Sequence, residues 1–359
     1  MPRTALLLAM ATIATFAAIV SFASSFASRK LAHRVKALDI PGGRHKHSKV
    51  TPLLGGLGIV FALFLSTYIA WNMGWLQDGI LHPQQMMGFL GGLGILLIGG
   101  LIDDIRPLPP KVQIIFPVLA SLLVIASGTG IIQVTNPFKA GGFNLQWWTF
   151  SGISFPADLL TFFWLMLATY ATKLQDGLDG LVTGLAVIGS VLVGALSSSI
   201  AYYQPAVAIL TSIVSGSFFG FLPVNAPPAK QFLGEIGSTV AGFTLGVLAI
   251  LSSAKVAIAL CVLAIPIADG VLVAFGRIRR GVPWHVGDRS HLHFRLVAAG
   301  LSPRYAVILL WGISATTGIL AFGFQTRGKV LLVVSLVLFT IFASSISAVL
   351  AKRKGIQEI

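Results

Sequence analysis

Eleven apolar stretches, separated by short polar ones, constrain this chain more than anything else in it. They lie near residues 5–27, 53–75, 84–102, 112–128, 155–172, 177–198, 205–223, 238–252, 254–276, 304–325 and 329–350. Crossing the hydrocarbon core of a bilayer takes about 20 consecutive apolar residues of helix. Within lipid, only helices and closed barrels satisfy every backbone group, and a barrel would show alternating ten-residue segments instead of continuous runs. The chain is 55% hydrophobic and only 10% charged, with a mean hydropathy of +0.89. The expected fold class is therefore all-α. Residues 1–359 form a single integral membrane domain, a polytopic helical bundle with about 11 transmembrane helices. The first run is longer than a usual signal core and is followed by a very basic stretch, so it is expected to be a retained span. The one cysteine, Cys261, lies inside an apolar run, which excludes a disulfide framework and a thiolate metal site.

Charge fixes the expected orientation. Of the 25 Lys and Arg, all but Arg3, Lys139, Lys255, Arg327 and Lys329 follow odd-numbered spans or end the chain. The positive-inside rule makes that side cytoplasmic, with the N-terminus outside and the C-terminus inside, in the cell inner (plasma) membrane. The cytoplasmic loops are expected at about 28–52, 103–111, 173–176, 224–237 and 277–303. Residues 129–154 are rich in β-branched and aromatic side chains around Gly141-Gly142 and read as one short external β-hairpin. The net charge of +14 then belongs to loops that meet lipid phosphate and a phosphorylated soluble substrate, not nucleic acid.

The acids are gathered too. All eleven except Asp78 and Asp158 lie on the expected cytoplasmic side, several at span ends. Positive-inside bias accounts for the bases but not for acids so placed. Intramembrane carboxylates are costly and read as functional by default. Lys173-Leu-Gln-Asp176-Gly-Leu-Asp179-Gly-Leu181 stands between two apolar runs. If the second helix begins near Asp176, both carboxylates share one face at a helix N-terminus, whose dipole favours negative charge. Asp103-Asp104 closes the third span. A plain helix boundary is the alternative there, and an unattractive one because acids oppose the dipole at a C-terminus. Adjacent carboxylates are hard ligands suited to Mg²⁺, which also prefers substrate phosphates.

Gly234-Glu235-Ile-Gly237-Ser238 opens the eighth span after Asn225 and Phe232. Backbone N–H groups at such a start receive anions, Glu235 adds a cation ligand, and Phe232 offers a face for a base. Arg289-Ser-His291-Leu-His293-Phe-Arg295 offers cations and imidazoles suited to a diphosphate. Zinc is the rival there, but without cysteines or i, i+4 histidines it is set aside.

Taken in order, these pieces resemble the polyprenyl-phosphate N-acetylhexosamine-1-phosphate transferase family, the MraY/WecA-like glycosyltransferases. They are Asp39-x-Pro41-x-x-Arg44-x-x-His47 with Pro52-x-x-Gly55-Gly56, Asp103-Asp104, Asp176-Gly-Leu-Asp179-Gly-Leu, Asn225 with Phe232-Leu-Gly-Glu-Ile-Gly-Ser238, Asp269, and Asp288-Arg-Ser-His-Leu-His293-Phe-Arg-Leu296. The last piece and the eleventh span are similar to the WecA branch. The resemblance implies transfer of N-acetylhexosamine-1-phosphate, GlcNAc-1-phosphate foremost, from a UDP-sugar to undecaprenyl or another polyprenyl phosphate. UMP is released, with Mg²⁺ or Mn²⁺ as cofactor, as a first membrane step of cell-envelope polysaccharide synthesis such as lipopolysaccharide or teichoic acid.

By this resemblance Asp103, Asp104 and Asp176 are catalytic, and Asp176 and Glu235 hold the metal. Asp179, Asn225, Phe232, Lys173, Arg289, His291, His293, His47 and Lys111 bind substrate. The expected partners are UDP-N-acetylhexosamine, the polyprenyl lipid, the membrane and, as an option, a second copy of the chain. The sequence departs from the family pattern at Tyr170 and Lys173, where asparagines are usual, at Glu235 in place of Asp, and at Phe294 in place of His. Alternatives are the phospho-N-acetylmuramoyl-pentapeptide transferase of peptidoglycan synthesis, an ion-coupled secondary transporter, and an inactive lipid-phosphate-binding homologue.

Overall fold

The computed structural model describes residues 1–40, 50–137, 139, 141–150, 152–252, 256–281 and 290–353. Each of the eleven apolar stretches carries helix. They are α1 (Arg3–Val35), α2 (Gly55–Asn72), α3 (Pro83–Ile105), α4 (Pro110–Gln113) continued by α5 (Ile115–Ala126), α6 (Ala157–Gln175) and α7 (Leu181–Ser197). Then come α8 (Pro205–Asn225), α9 (Gly234–Leu251), α10 (Val256–Arg279), the short α11 (Leu292–Ala299), α12 (Pro303–Gly323) and α13 (Thr326–Arg353).

Eight of these, α1, α2, α3, α8, α9, α10, α12 and α13, are long and apolar enough to cross a membrane by length and composition. The α4–α5 stretch and α7 are shorter apolar helices. The protein is a multi-pass membrane bundle of helices.

Packing separates the helices into a centre and a periphery. α8 and α9 are buried along most of their length, whereas α1 and α13 are mostly open. On α1 the buried positions are Leu6, Ala9, Ile13, Ala17, Ser21, Ser25, Ser28 and Ala32, three or four apart. Its exposed positions include Leu7, Leu8, Ile19, Phe22 and Phe26. Small residues inside and large ones outside are what close helix packing in lipid favours, because burial of apolar surface gains little there. α1 runs on through Arg29, Lys30 and Arg34, so the first loop begins later than expected, after Val35.

Two further expectations change. The described residues in the stretch 129–156 form two successive antiparallel strand pairs, not one. β3 (Gln133–Thr135) pairs with β4 (Gly142–Asn144), and β5 (Gln146–Phe150) with β6 (Ile153–Pro156), both antiparallel. A second turn at Gly152, with φ +84°, divides what the composition merged. Near the site end, β1 (Leu38–Asp39) pairs with β2 (Thr51–Pro52). The loop expected at 277–303 contains α11, whose Leu292 and His293 are buried.

Candidate active site

The C-terminal ends of α3, α6 and α8, the N-terminal ends of α2, α7 and α9, and the part of α10 around Asp269 meet at one end of the bundle. Asp103 and Asp104 lie in the last turn of α3. Asp103 Oδ1 accepts the Leu108 N–H at 2.7 Å and a proton from Gln113 Nε2 at 2.8 Å. Asp104 is buried, and its Oδ1 accepts the Glu235 N–H at 2.8 Å. Its Oδ2 has no hydrogen-bond partner among the described residues. This accounts for acids at a helix C-terminus. Asp104 serves the N-terminus of α9, whose first N–H groups lack helical partners and whose dipole attracts negative charge.

That arrangement depends on close backbone approach. Gly234 has φ +75°, and a Cβ added there would stand 2.5 Å from Asp104 Oδ2. On α2, the Gly55 N–H donates to Phe232 O at 3.1 Å and the Gly56 N–H to Leu233 O at 2.9 Å. A Cβ on Gly56 would meet Gly237 N at 2.2 Å. The Phe232 N–H donates in turn to Pro52 O at 2.9 Å. The Pro52-x-x-Gly55-Gly56 piece is thus a docking surface for the loop that carries Phe232 and Glu235.

The two aspartates of the central motif do not sit in a helix. Asp176 caps the C-terminus of α6, and α7 begins only at Leu181 with Gly180 as its N-cap. The expectation of a helix starting near Asp176 is therefore wrong. Gly180, at φ +77°, sets the start instead. Asp179 Oδ2 accepts the Ala229 N–H at 2.8 Å. Asn225, expected to hold nucleotide, is buried and fully engaged with protein. Its Oδ1 accepts from Gly180 N at 3.1 Å and Thr183 Oγ1 at 2.6 Å, and its Nδ2 donates to Gln231 O at 3.2 Å. It fixes the α8 end to the α7 start. Enclosure by protein atoms, then the charges of Glu235 and Asp179, push the Asp176 carboxyl up to about 8. The residue as a whole is nevertheless exposed to solvent.

Lys173 lies in the last turn of α6, inside the helix, where a loop residue was expected. Its Nζ donates to Glu235 Oε1 at 2.6 Å and to Gln113 Oε1 at 2.9 Å. Through Gln113 it is linked to Asp103.

The two histidines expected to bind substrate are tied into the protein through their Nδ1 atoms. His291 Nδ1 bonds Asp269 Oδ2 at 2.8 Å, and Asp269 Oδ1 accepts the Leu292 N–H at 2.8 Å. Gln175 Nε2 donates to Asp269 Oδ2 at 3.3 Å, and Gln175 Oε1 pairs with His293 Nδ1 at 3.1 Å. His291 and His293 are both buried. Burial pushes the His293 imidazole down to about 3, so it is neutral. These groups hold α11 against α6 and α10 beside Asp176. His293 Nε2 is buried with no hydrogen-bond partner among the described residues. Leu292, between the two histidines in sequence, is 1% exposed and belongs to an apolar cluster with Leu181 and Leu185.

The structure therefore gathers Asp103, Asp104, Lys173, Asp176, Asp179 and Glu235 at one site, with Phe232 half-buried at its edge and Lys111 exposed on α4. His47 and Arg289 lie outside the described residues. Gln113, Gln175 and Gln231 carry polar links that the sequence reading missed. The available signal was a glutamine at the polar end of an apolar run.

Residues 86–253 match the family described as glycosyl transferase family 4. A relative named probable undecaprenyl-phosphate N-acetylglucosaminyl 1-phosphate transferase, from Bacillus subtilis, is 32% identical over 291 residues, 79% of this chain and 76% of that one. The chain belongs to glycosyl transferase family 4. Within that family it is also 28% identical over 341 residues to a decaprenyl-phosphate N-acetylglucosaminephosphotransferase of Mycobacterium tuberculosis, covering 88% of this chain and 81% of the relative. It is 26% identical over 312 residues to the undecaprenyl-phosphate alpha-N-acetylglucosaminyl 1-phosphate transferase of Escherichia coli K12, covering 82% and 79%. These relatives accord with the resemblance to the WecA branch.

Proposed function

We propose that this protein transfers N-acetylglucosamine-1-phosphate from UDP-GlcNAc to a polyprenyl phosphate and releases UMP. The observation that carries the reading is the convergence of Asp103, Asp104, Asp176 and Glu235, from three distant parts of the chain, where the spans end. The names of its relatives supply the reaction class. A secondary transporter is disfavoured, since its acids belong near the bilayer midplane in broken helices. The lysine and arginine bias supports placing the site end in the cytoplasm of a cell with an inner membrane.

Among the described residues, no three of His, Cys, Asp and Glu form a ready-made metal site. Mg²⁺ does not require one, because it is commonly held by one or two carboxylates together with substrate phosphates. The donor set fits. Asp176 is oxygen-only, partly open, and under the charges of two acidic neighbours that a cation relieves. Asp176 and Glu235 are the residues that would hold the ion. When bound, it spreads charge that develops on the diphosphate.

The chain's own residues do the rest. Asp103 and Asp104 orient the lipid phosphate entering between helices, and orientation matters more than deprotonation because that phosphate is already largely ionised. An oxygen of the lipid phosphate forms a bond to the β-phosphorus of the donor. The bond from that phosphorus to the bridging oxygen breaks, and UMP leaves with the electron pair. Lys173 and Lys111 face the donor's phosphates, and Phe232 offers a stacking surface for uracil. Asp179 and Asn225 act indirectly, by fixing the loop from Asn225 to Phe232.

Purified protein with undecaprenyl phosphate, Mg²⁺ and a panel of UDP-sugars should release UMP with UDP-GlcNAc. Asp176→Asn should abolish turnover while the folded protein remains in the membrane. Absence of UMP release from the unaltered protein with every sugar, or undiminished release from Asp176→Asn, rejects the assignment.

A further inference from the structure

Of the four side chains that depart from the family pattern, Lys173 lies against two, Glu235 and Tyr170. Lys173 Nζ stands 2.6 Å from Glu235 Oε1 and 5.6 Å from the centre of the Tyr170 ring. The two charged side chains are 17% and 14% exposed, so each depends on the other for its counter-charge. Breaking such a pair by removing one partner leaves an uncompensated, largely buried charge, which is strongly unfavourable. A lysine on α6 with a shorter acid on α9, or an uncharged α6 residue with Glu235, would change either the reach or the charge balance. Lys173 and Glu235 therefore act as one charge pair, with the Tyr170 ring beside the ammonium.

The pairing alters what Glu235 can do. Its Oε1 already carries a cation, and Gln113 holds that ammonium from the other side at 2.9 Å while itself bonded to Asp103 at 2.8 Å. A divalent ion approaching Glu235 meets a positive charge at contact distance. Charges a few ångströms apart in such surroundings repel strongly. An arriving diphosphate offers the ammonium a more highly charged partner and more acceptor oxygens than one carboxylate does.

Resting on the transferase reading above, we propose that Lys173 is a tethered counter-cation. In the ligand-free enzyme it occupies Glu235 and suppresses divalent-cation binding. When the nucleotide-sugar enters, the ammonium moves to its diphosphate and frees Glu235 for the ion, so that metal and donor bind synergistically. Lys173 is thereby a specificity-determining residue for the order in which ligands assemble.

The test is Mn²⁺ binding followed by the loss of the free-ion electron paramagnetic resonance signal, in detergent, without lipid substrate or turnover. The unaltered protein should bind Mn²⁺ at least tenfold more weakly alone than with UDP-GlcNAc present. Lys173→Asn should bind Mn²⁺ at least tenfold more tightly than the unaltered protein in the absence of donor, whereas Lys173→Arg should retain the weak binding. Lys173→Asn leaves Glu235 unpaired, so Lys173→Asn with Glu235→Asp is the second variant. It restores a neutral–acid pair and should also bind Mn²⁺ without donor. Equal donor-free affinity in the unaltered protein and both asparagine variants, or weaker binding in those variants, overturns the proposal. A failed transferase reading gives a different result, the lack of UMP release from the unaltered protein, which the Mn²⁺ titration does not measure.

Discussion

Two glycines in left-handed backbone give a matched test of how the site is built. Gly234 has φ +75° and packs on the Asp104 carboxylate, while Gly128 has φ +79° and nothing within 4 Å of an added Cβ. Substituting alanine at either position incurs the left-handed penalty of about 1–2 kcal/mol. At Gly234 the methyl would also stand 2.5 Å from Asp104 Oδ2 and 2.9 Å from Oδ1. The carboxylate must then move, and its 2.8 Å bond to the Glu235 N–H is lost. Hydrogen bonds to charged groups contribute about 1.5–3 kcal/mol. Gly234→Ala should therefore cost roughly 2.5–5 kcal/mol and Gly128→Ala only about 1–2 kcal/mol. Equilibrium unfolding in mixed detergent micelles measures the difference, and UMP release should fall with Gly234→Ala alone, since Glu235 is displaced with its helix start. Equal destabilisation by the two substitutions would refute the claim that Asp104 and the α9 N-terminus are built around each other.

Other outcomes follow from the same contacts. Asp269→Ala removes the acceptor for the Leu292 N–H, His291 and Gln175 inside a buried site and should cost about 3–5 kcal/mol, whereas Asp269→Asn, which keeps an acceptor oxygen, should cost less; chemical unfolding compares them. His293, held near 3 when folded, protonates near 6.5 when unfolded, so the unfolded state binds more protons between those values and stability falls as pH drops through that window. His293→Gln should flatten that part of the stability–pH curve, and an unchanged slope counts against the buried neutral imidazole. Thr172 Oγ1 donates across to Ser238 O at 2.8 Å, so Thr172→Val should loosen the α6–α9 contact by only about 0.6 kcal/mol, as cross-helix bonds in membranes typically do.

By itself the sequence determined the fold class, the approximate positions of the long helices and the family. Apolar runs long enough for a bilayer leave almost no other choice, and the Asp103-Asp104, Asp176/Asp179 and Glu235 pieces keep their order along the chain. It also marked the acids as a group, because charge in so apolar a chain is conspicuous. Tertiary structure alone decided what each polar group faces. Asn225, His291 and His293 read as ligand-binding residues in the sequence, and folding adds their contacts with Thr183, Asp269 and Gln175. Those partners lie 22 to 118 residues away in sequence, and no local period reports them. Only folding could show that Lys173 meets Glu235, 62 residues away, because the pair exists where two helix ends converge and neither residue's neighbours encode it.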